Sequence, residues 1–299
     1  MAIDFRNQTF GVEIETVGMR REQACKLVAA MFGTEARYAG TVYDTWVCKD
    51  KEGREWKFMR DSSLNTVNGV CDGCEVVTPV LEYKDIEKLQ QVARVLRLVG
   101  AKADGSCGIH VHVGADKHTP QSMTNLIKMM IGKEDVIYKG LQVSEDRAMR
   151  FTRKVDSRLA ARIANGEKPK TMEEWKKLWY ESQGHSTWDS QSHYDGTRYH
   201  GLNYHTTFNR GKTIEFRLFN GSLHAGKIKA YVQFCLAMSG KAINSRTVSM
   251  QKVDSVDEKH MYGCWLLRLG LEGDEFATCR EHIMAGLEDA PAARVRRAA

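Results

Sequence analysis

Three short stretches of this chain alternate strictly between apolar side chains and side chains of a narrow chemical range. In GVEIET, Val12 and Ile14 oppose Glu13 and Glu15. In GIHVHVG, Ile109, Val111 and Val113 oppose His110 and His112. In TIEFRLF, Ile214, Phe216 and Leu218 oppose Glu215 and Arg217. Side chains along a strand alternate with period two, so each polar pair must share a face. The chain therefore builds a sheet with one apolar face and one face of Glu, His and Arg. Any one of these strands, taken alone, reads first as half-buried sheet with a wet outer side. The three together fit that reading less well, because a solvated face mixes Lys, Thr, Ser and Gln with its acids. Gly11, Gly108 and Gly114 flank two of the strands, where close backbone approach is useful.

Between these strands the periodicity changes. REQACKLVAAMFG places Ala24, Leu27, Val28 and Met31 at helical spacing and closes on Gly33. TVYDTWV and EWKFMRD read as a strand pair around the turn KDKEGR, and CEVVTPVL as a short strand ended by Pro79. Ile86, Leu89, Val92, Leu96 and Val99 line one face of an amphipathic helix ending at Gly100. Residues 119–181 are mainly helical, and Thr171 with Glu174 forms a capping box. Residues 182–201 have loop composition and read equally as a plain surface loop or as a candidate lid, with His185, His193, Tyr194 and His200 able to meet a substrate. Strands at 202–219 and helices at 226–239, 258–269 and 275–287 follow. Strands, helices, strands and helices in this order do not form regular βαβ units, so the expected class is α+β with a mainly antiparallel sheet and helices packed on its outer face.

Composition excludes several classes. Hydrophobic residues are 42% and charged residues 27% of 299, an ordinary globular balance long enough for a core. No apolar run has the length of a membrane span, and no basic-then-apolar leader opens the chain, so a cytoplasmic protein is expected. The formal charge of +6 is spread out, apart from the tail AARVRRAA, read as a frayed end rather than a nucleic-acid arm. Eight cysteines at irregular spacing read as reduced thiols, and CDGC, residues 71–74, as a turn before a strand. The expected organisation is a single catalytic domain over 1–290 with a helical insertion at about 119–181, and a basic tail over 291–299.

If the polar faces meet, Glu13, Glu15 and Glu215 gather three carboxylates, with Glu75 a fourth. Like carboxylates raise each other's pKa unless a cation intervenes. Oxygen ligands with an occasional imidazole suit Mg²⁺ or Mn²⁺ better than zinc. Arg217 then supplies a planar cation for a phosphate oxygen. Carboxylate-held magnesium with an arginine is suited to a transferring phosphoryl group. There is no GxxxxGK[ST] sequence, so this is not a P-loop arrangement.

FGVEIE, DSSL, GCEVVTP, CGIHVHVG and NRGKTIEFRLFNGSL occur in this order, and together they resemble the amidoligase family. That family is related to glutamate–cysteine ligase and glutamine synthetase, the carboxylate–amine ligases. The resemblance covers about 10–80, 105–114 and 198–223. It implies an antiparallel sheet curved around a site for ATP and two or three magnesium ions. It implies Glu13, Glu15, Glu75, His110 and Glu215 as metal ligands and Arg217 as the phosphate contact. Arg198, a further catalytic candidate, and Asn203 stand where the family has polar substrate or phosphate contacts; Asp61 and His112 carry a weaker expectation. One departure stands out. The better-known ligases carry an acid seven or eight residues before the Glu75 equivalent, where this chain has Asn68 and Val67, so Asp61 or Asp72 must replace it or one metal site is altered.

The implied reaction is ATP-dependent amide synthesis through an acyl phosphate, on small-molecule or peptide carboxylate and amine substrates, with no nucleic-acid or membrane partner. Two alternatives remain open. One is a zinc hydrolase using His110 and His112, with His205 as a later ligand. The other is a non-catalytic nucleotide-binding relative. On the ligase reading, replacing Glu215 or Arg217 is expected to leave the fold intact and abolish activity.

Overall fold

The apolar sides of the alternating strands are fully buried: Val12, Ile14, Ile109, Val111, Ile214, Phe216 and Leu218 are all core. The protein, seen here in a computed structural model, is described over residues 2–65, 73–209, 212–253 and 257–288. It is α+β. The chain divides into two compact units, Thr9–His112 with Phe219–Val232, and Met1–Gln8 with Val113–Leu218 and Gln233–Ala299.

The first unit opens with β1 (Phe10–Thr16) and α1 (Arg21–Phe32), followed by β2 (Arg37–Tyr38), β3 (Trp46–Lys49), β4 (Glu55–Met59) and β5 (Cys74–Val77). Then come α2 (Ile86–Leu98) and β6 (Gly108–Gly114), the last two residues of β6 being assigned to the second unit. The strand order is β2-β3-β4-β5-β1-β6. The β2–β3, β3–β4, β4–β5 and β5–β1 pairs are antiparallel. Helix α1 ends as its glycine requires, with Gly33 at φ +72° closing the last turn. It packs on β3, β4, β5 and α2 through Ala24, Cys25, Val28, Ala29 and Phe32. Leu27 and Met31, expected on the buried stripe, are only half-buried. Phe32 takes their place, its ring 5.4 Å from that of the fully buried Trp56.

The second unit is mainly helical in its middle, as the periodicity requires: α3 (Pro120–Gly140), α4 (Glu145–Arg150), α5 (Ser157–Ala164) and α6 (Met172–Ser182). Thr171 caps α6 by accepting the Glu174 N–H, but the Glu174 carboxylate turns to the Lys170 N–H. Only half of the expected capping box is therefore made. Residues 182–201 are not an open loop. They hold 3₁₀ turns at Thr187–Gln191 and Gly196–Arg198 and bury Ser190, Asp195, Thr197 and His200.

The stretch expected as strand over 202–219 is interrupted. β7 (Leu202–Asn203) stops after two residues, α7 (His205–Phe208) makes one helical turn, and β8 (Thr213–Asn220) follows. The cause is local: Asn203 Oδ1 accepts the His205 N–H at 2.7 Å, so the side chain competes with the ladder. Thr206 and Thr207 then both donate to the Thr213 carbonyl, fastening the turn to the start of β8. β7 pairs antiparallel with β8, with Asn203 opposite Glu215. Helices α8 (Ala225–Asn244), α9 (Glu258–Arg268) and α10 (Ala277–Ile283) complete the chain, α8 running five residues beyond its expected end. No described helix is long and apolar enough to cross a membrane. The basic tail at 291–299 and the first half of the CDGC turn, residues 71–72, lie outside the described residues.

Candidate active site

The polar faces of the three strands are largely buried. Glu15, Glu75, His110, Glu215 and Arg217 are buried, Glu215 to 1% and Arg217 to 6% exposure. Burying such groups is costly unless they are paired or neutralised. That excludes the reading of these strands as ordinary sheet with a wet outer side.

In the first unit the cluster forms from strand register. Glu15 of β1 stands opposite Glu75 of β5, so the two carboxylates share a face. Glu13 lies two residues along β1 on that face, and His110 and His112 come from β6. His110 Nδ1 lies 2.9 Å from Glu13 Oε2 and its Nε2 3.8 Å from Glu15 Oε1. His112 Nε2 lies 3.2 Å from Glu13 Oε1. Glu15 Oε2 also accepts the Gly108 N–H. Burial works against ionisation of Glu13, yet the charge of His112 and hydrogen bonds from His110 and His112 hold its carboxyl well below the usual range.

Donor atoms of Glu13, Glu75 and His110 all lie within 4.8 Å of one another, as do those of Glu15, Asp61 and Glu75. Sequence left Asp61 and Asp72 as candidates for the displaced acid. The structure brings Asp61 to Glu15 and Glu75, while Asp72 lies outside the described residues. The donors fit a hard divalent cation: carboxylate oxygens dominate, one imidazole joins them, and no cysteine does.

In the second unit Glu215 and Arg217 are partners. Arg217 Nη1 donates to Glu215 Oε1 at 2.5 Å, and Asn203 Nδ2 donates to Oε2 at 2.7 Å. Both carboxylate oxygens are thus engaged by side chains of this unit. The Arg217 guanidinium also lies 5.9 Å from the Tyr199 ring centre, and Arg198 lies 5.7 Å from the same ring. Two of the expected residues, 19 positions apart, meet on one tyrosine. Arg198 Nη1 further donates to the His193 carbonyl. The backbone of Arg217 is held at both ends: its N–H donates to Gly201 and its carbonyl accepts from Arg147 Nη2 at 3.2 Å.

Several of these residues escaped the sequence reading. Tyr199 neighbours Arg198 in TRYHG, but nothing in the spacing links it to Arg217. Arg147, 3% exposed, sits in a short helix that reads as surface. His185 Nδ1 lies 2.8 Å from Oδ2 of the buried Asp195, whose Oδ1 accepts from the Thr197 N–H and hydroxyl. By contrast His200 is pinned in the core, donating from Nδ1 to the Lys154 carbonyl and packing edge-on to Trp179. His205 is also occupied, with Tyr180 at Nδ1 and Asn209 near Nε2, so it offers no spare nitrogen as a zinc ligand.

The sequence profile of the family described as "Putative amidoligase enzyme" matches residues 6–239, which spans every strand and both clusters. The chain belongs to the amidoligase family. The motifs that carried the resemblance include the residues that form both clusters. Among solved structures, the chain is similar to a bifunctional glutathione synthetase from Pasteurella multocida, with 13% identity and a TM-score of 0.40 over 98% of this chain. It spans about half of that protein, 49% of its length. No curated protein matches the chain.

Proposed function

We propose that this amidoligase-family chain is an ATP-dependent carboxylate–amine ligase with the catalytic fold of the glutamine synthetase and glutamate–cysteine ligase group, acting in the cytoplasm. The observation that carries the reading is the shared face of Glu13, Glu15, Glu75 and His110, on which all but the half-buried Glu13 are buried. A fold tolerates so many buried carboxylates when they have a cation to hold. Glu13, Glu75 and His110 would hold one Mg²⁺ or Mn²⁺, and Glu15, Asp61 and Glu75 a second. Such ions neutralise phosphate oxygens and orient them.

The remaining work falls to protein side chains. Arg217, braced by Glu215 and resting against Tyr199, presents a fixed planar fork to a phosphate oxygen. Arg198, stacked on the same ring, offers a second cation. His112 completes the nucleotide contacts, and Asn203, its amide shared between Glu215 and the His205 N–H, positions Glu215. Glu215 serves either as a further metal ligand or as the residue that positions Arg217; its pairing supports the second role. In the reaction the terminal phosphoryl group passes from ATP to a substrate carboxylate, releasing ADP. The amine nitrogen then attacks the acyl carbon, phosphate departs, and the nitrogen loses a proton. Burial of the site protects the acyl phosphate from water. The substrates are small-molecule or peptide carboxylates and amines.

Hydroxylamine tests this directly because it substitutes for many amines. Incubation with ATP, Mg²⁺ and a carboxylate panel should yield a hydroxamate together with ADP. Hydrolysis independent of ATP by protein holding one tight zinc would replace this reading with the hydrolase. Tight nucleotide binding without ADP release across the panel would replace it with a non-catalytic relative.

A further inference from the structure

Three helices that run through the second unit each bring a pair of residues, four positions apart, to a common space. The pairs stand at i and i+4, so they share a helix face: Met129 and Lys133 on α3, Met261 and Trp265 on α9, and Lys241 on α8 with Ser245 just beyond its end. Together with the 247–253 segment they line a cavity of about 810 Å³. That volume lies within the ~300–1,000 Å³ typical of small-molecule sites.

The described lining carries one sign of charge. Lys133, Lys241, Lys252 and Arg268 border it, and among the described residues no Asp or Glu does. Lys252 is paired with Asp135 at 2.9 Å. Among the described residues, neither Lys241 nor Arg268 has a carboxylate partner. Lys133 is half-buried, donates to the Gln251 carbonyl, and its pKa is lowered by burial. Unopposed cations beside apolar walls repel one another until an anion arrives. The floor is a rigid aromatic platform: Trp265 stacks on the buried Tyr262 at 5.5 Å between ring centres, with Phe234 against it at 6.4 Å. Ser245, Thr247 and Ser249 add hydroxyl groups at the rim.

We propose that this cavity is a second binding site, for a small anion with a flat apolar body such as an aromatic phosphate or carboxylate. The body lies on Trp265 between Met129 and Met261, and the anionic group meets Lys241 and Arg268. The site shares no residue with either cluster of the candidate active site, so it stands or falls separately from the ligase reading.

The test is titration of the full-length protein with 1-naphthyl phosphate, read by tryptophan fluorescence and calorimetry. Inorganic phosphate and 1-naphthol, the two halves of the probe, serve as comparators. The intact probe should bind saturably and at least about tenfold tighter than either half, since each tenfold reflects about 1.4 kcal/mol. Lys241→Ala with Arg268→Ala should weaken it by about tenfold or more. Lys241→Gln with Arg268→Gln repeats the measurement if the alanine pair melts early. Absence of saturable binding, binding no tighter than that of phosphate or naphthol alone, or binding unchanged in the double variants overturns the proposal.

Discussion

Glu15 and Glu75 stand directly opposite each other on adjacent antiparallel strands, and both are buried. Like charges across a strand pair destabilise a sheet by roughly 0.2–1 kcal/mol at exposed sites, and burial enlarges the penalty. Mg²⁺ or Mn²⁺ should therefore raise the melting temperature of the protein. Glu75→Gln should melt higher than the parent in the absence of metal and should lose the metal response. Scanning calorimetry with and without Mg²⁺ checks both. An unchanged melting temperature of the parent at millimolar Mg²⁺ and Mn²⁺ would remove the cation from this face.

The Glu215–Arg217 pair alters the expectation that either residue could be cut back without cost to the fold. Removing one member of a buried ion pair leaves the other uncompensated, typically at about 3–5 kcal/mol. Arg217→Ala and Glu215→Ala should each unfold at lower denaturant, and the double change should cost less than the sum. Arg217→Lys keeps the charge but not the fork. It should stay folded and lose about 10²- to 10³-fold in ADP release, by analogy with loss of an oxyanion donor. Denaturant melts and steady-state rates on the same preparations separate the two effects.

Gly201 has no room for a side chain. A Cβ there would run into the Tyr138 hydroxyl, which is itself bonded to the Thr152 carbonyl at 2.7 Å. The same residue accepts the Arg217 N–H. Gly201→Ala should destabilise by about 1–3 kcal/mol through overpacking. Tyr138→Phe, which removes the clashing oxygen, should recover part of that loss in the double variant.

Stability should depend on pH with two opposing contributions. Burial lowers His118 and His200 to about 4, from an ordinary 6.5. Between those values the unfolded chain binds the protons and the folded chain does not, so stability falls as pH drops from 6.5 toward 4. Burial raises Glu134 from 4.5 to about 7, against the hydrogen bond from the Val155 N–H. Between 4.5 and 7 the folded chain holds the extra proton, so this group favours the acid side. Glu134→Gln should therefore stabilise the protein at pH 8 and steepen its loss of stability below pH 6.5. Urea midpoints across pH 4–8 for the two proteins measure the difference.

Much of the architecture was legible because it is local. Period-two alternation marked β1, β6 and β8, and period 3.6 with terminal glycines marked α1 and α2. Where the sequence reading missed, side chains competed with backbone. Asn203 cut a strand short by capping the next turn, and Glu174 capped Lys170 rather than Thr171.

For the candidate site, alternation alone placed Glu13 with Glu15, His110 with His112, and Glu215 with Arg217 on single faces, because neighbouring side chains on a strand must point opposite ways. It could not say whether those faces were wet. That was decided by packing, which buried them. Register then set Glu15 against Glu75, and folding brought Asp61, Tyr199 and Arg147 to partners far away in the chain. Such contacts join residues with no fixed spacing, so no pattern in the sequence encodes them.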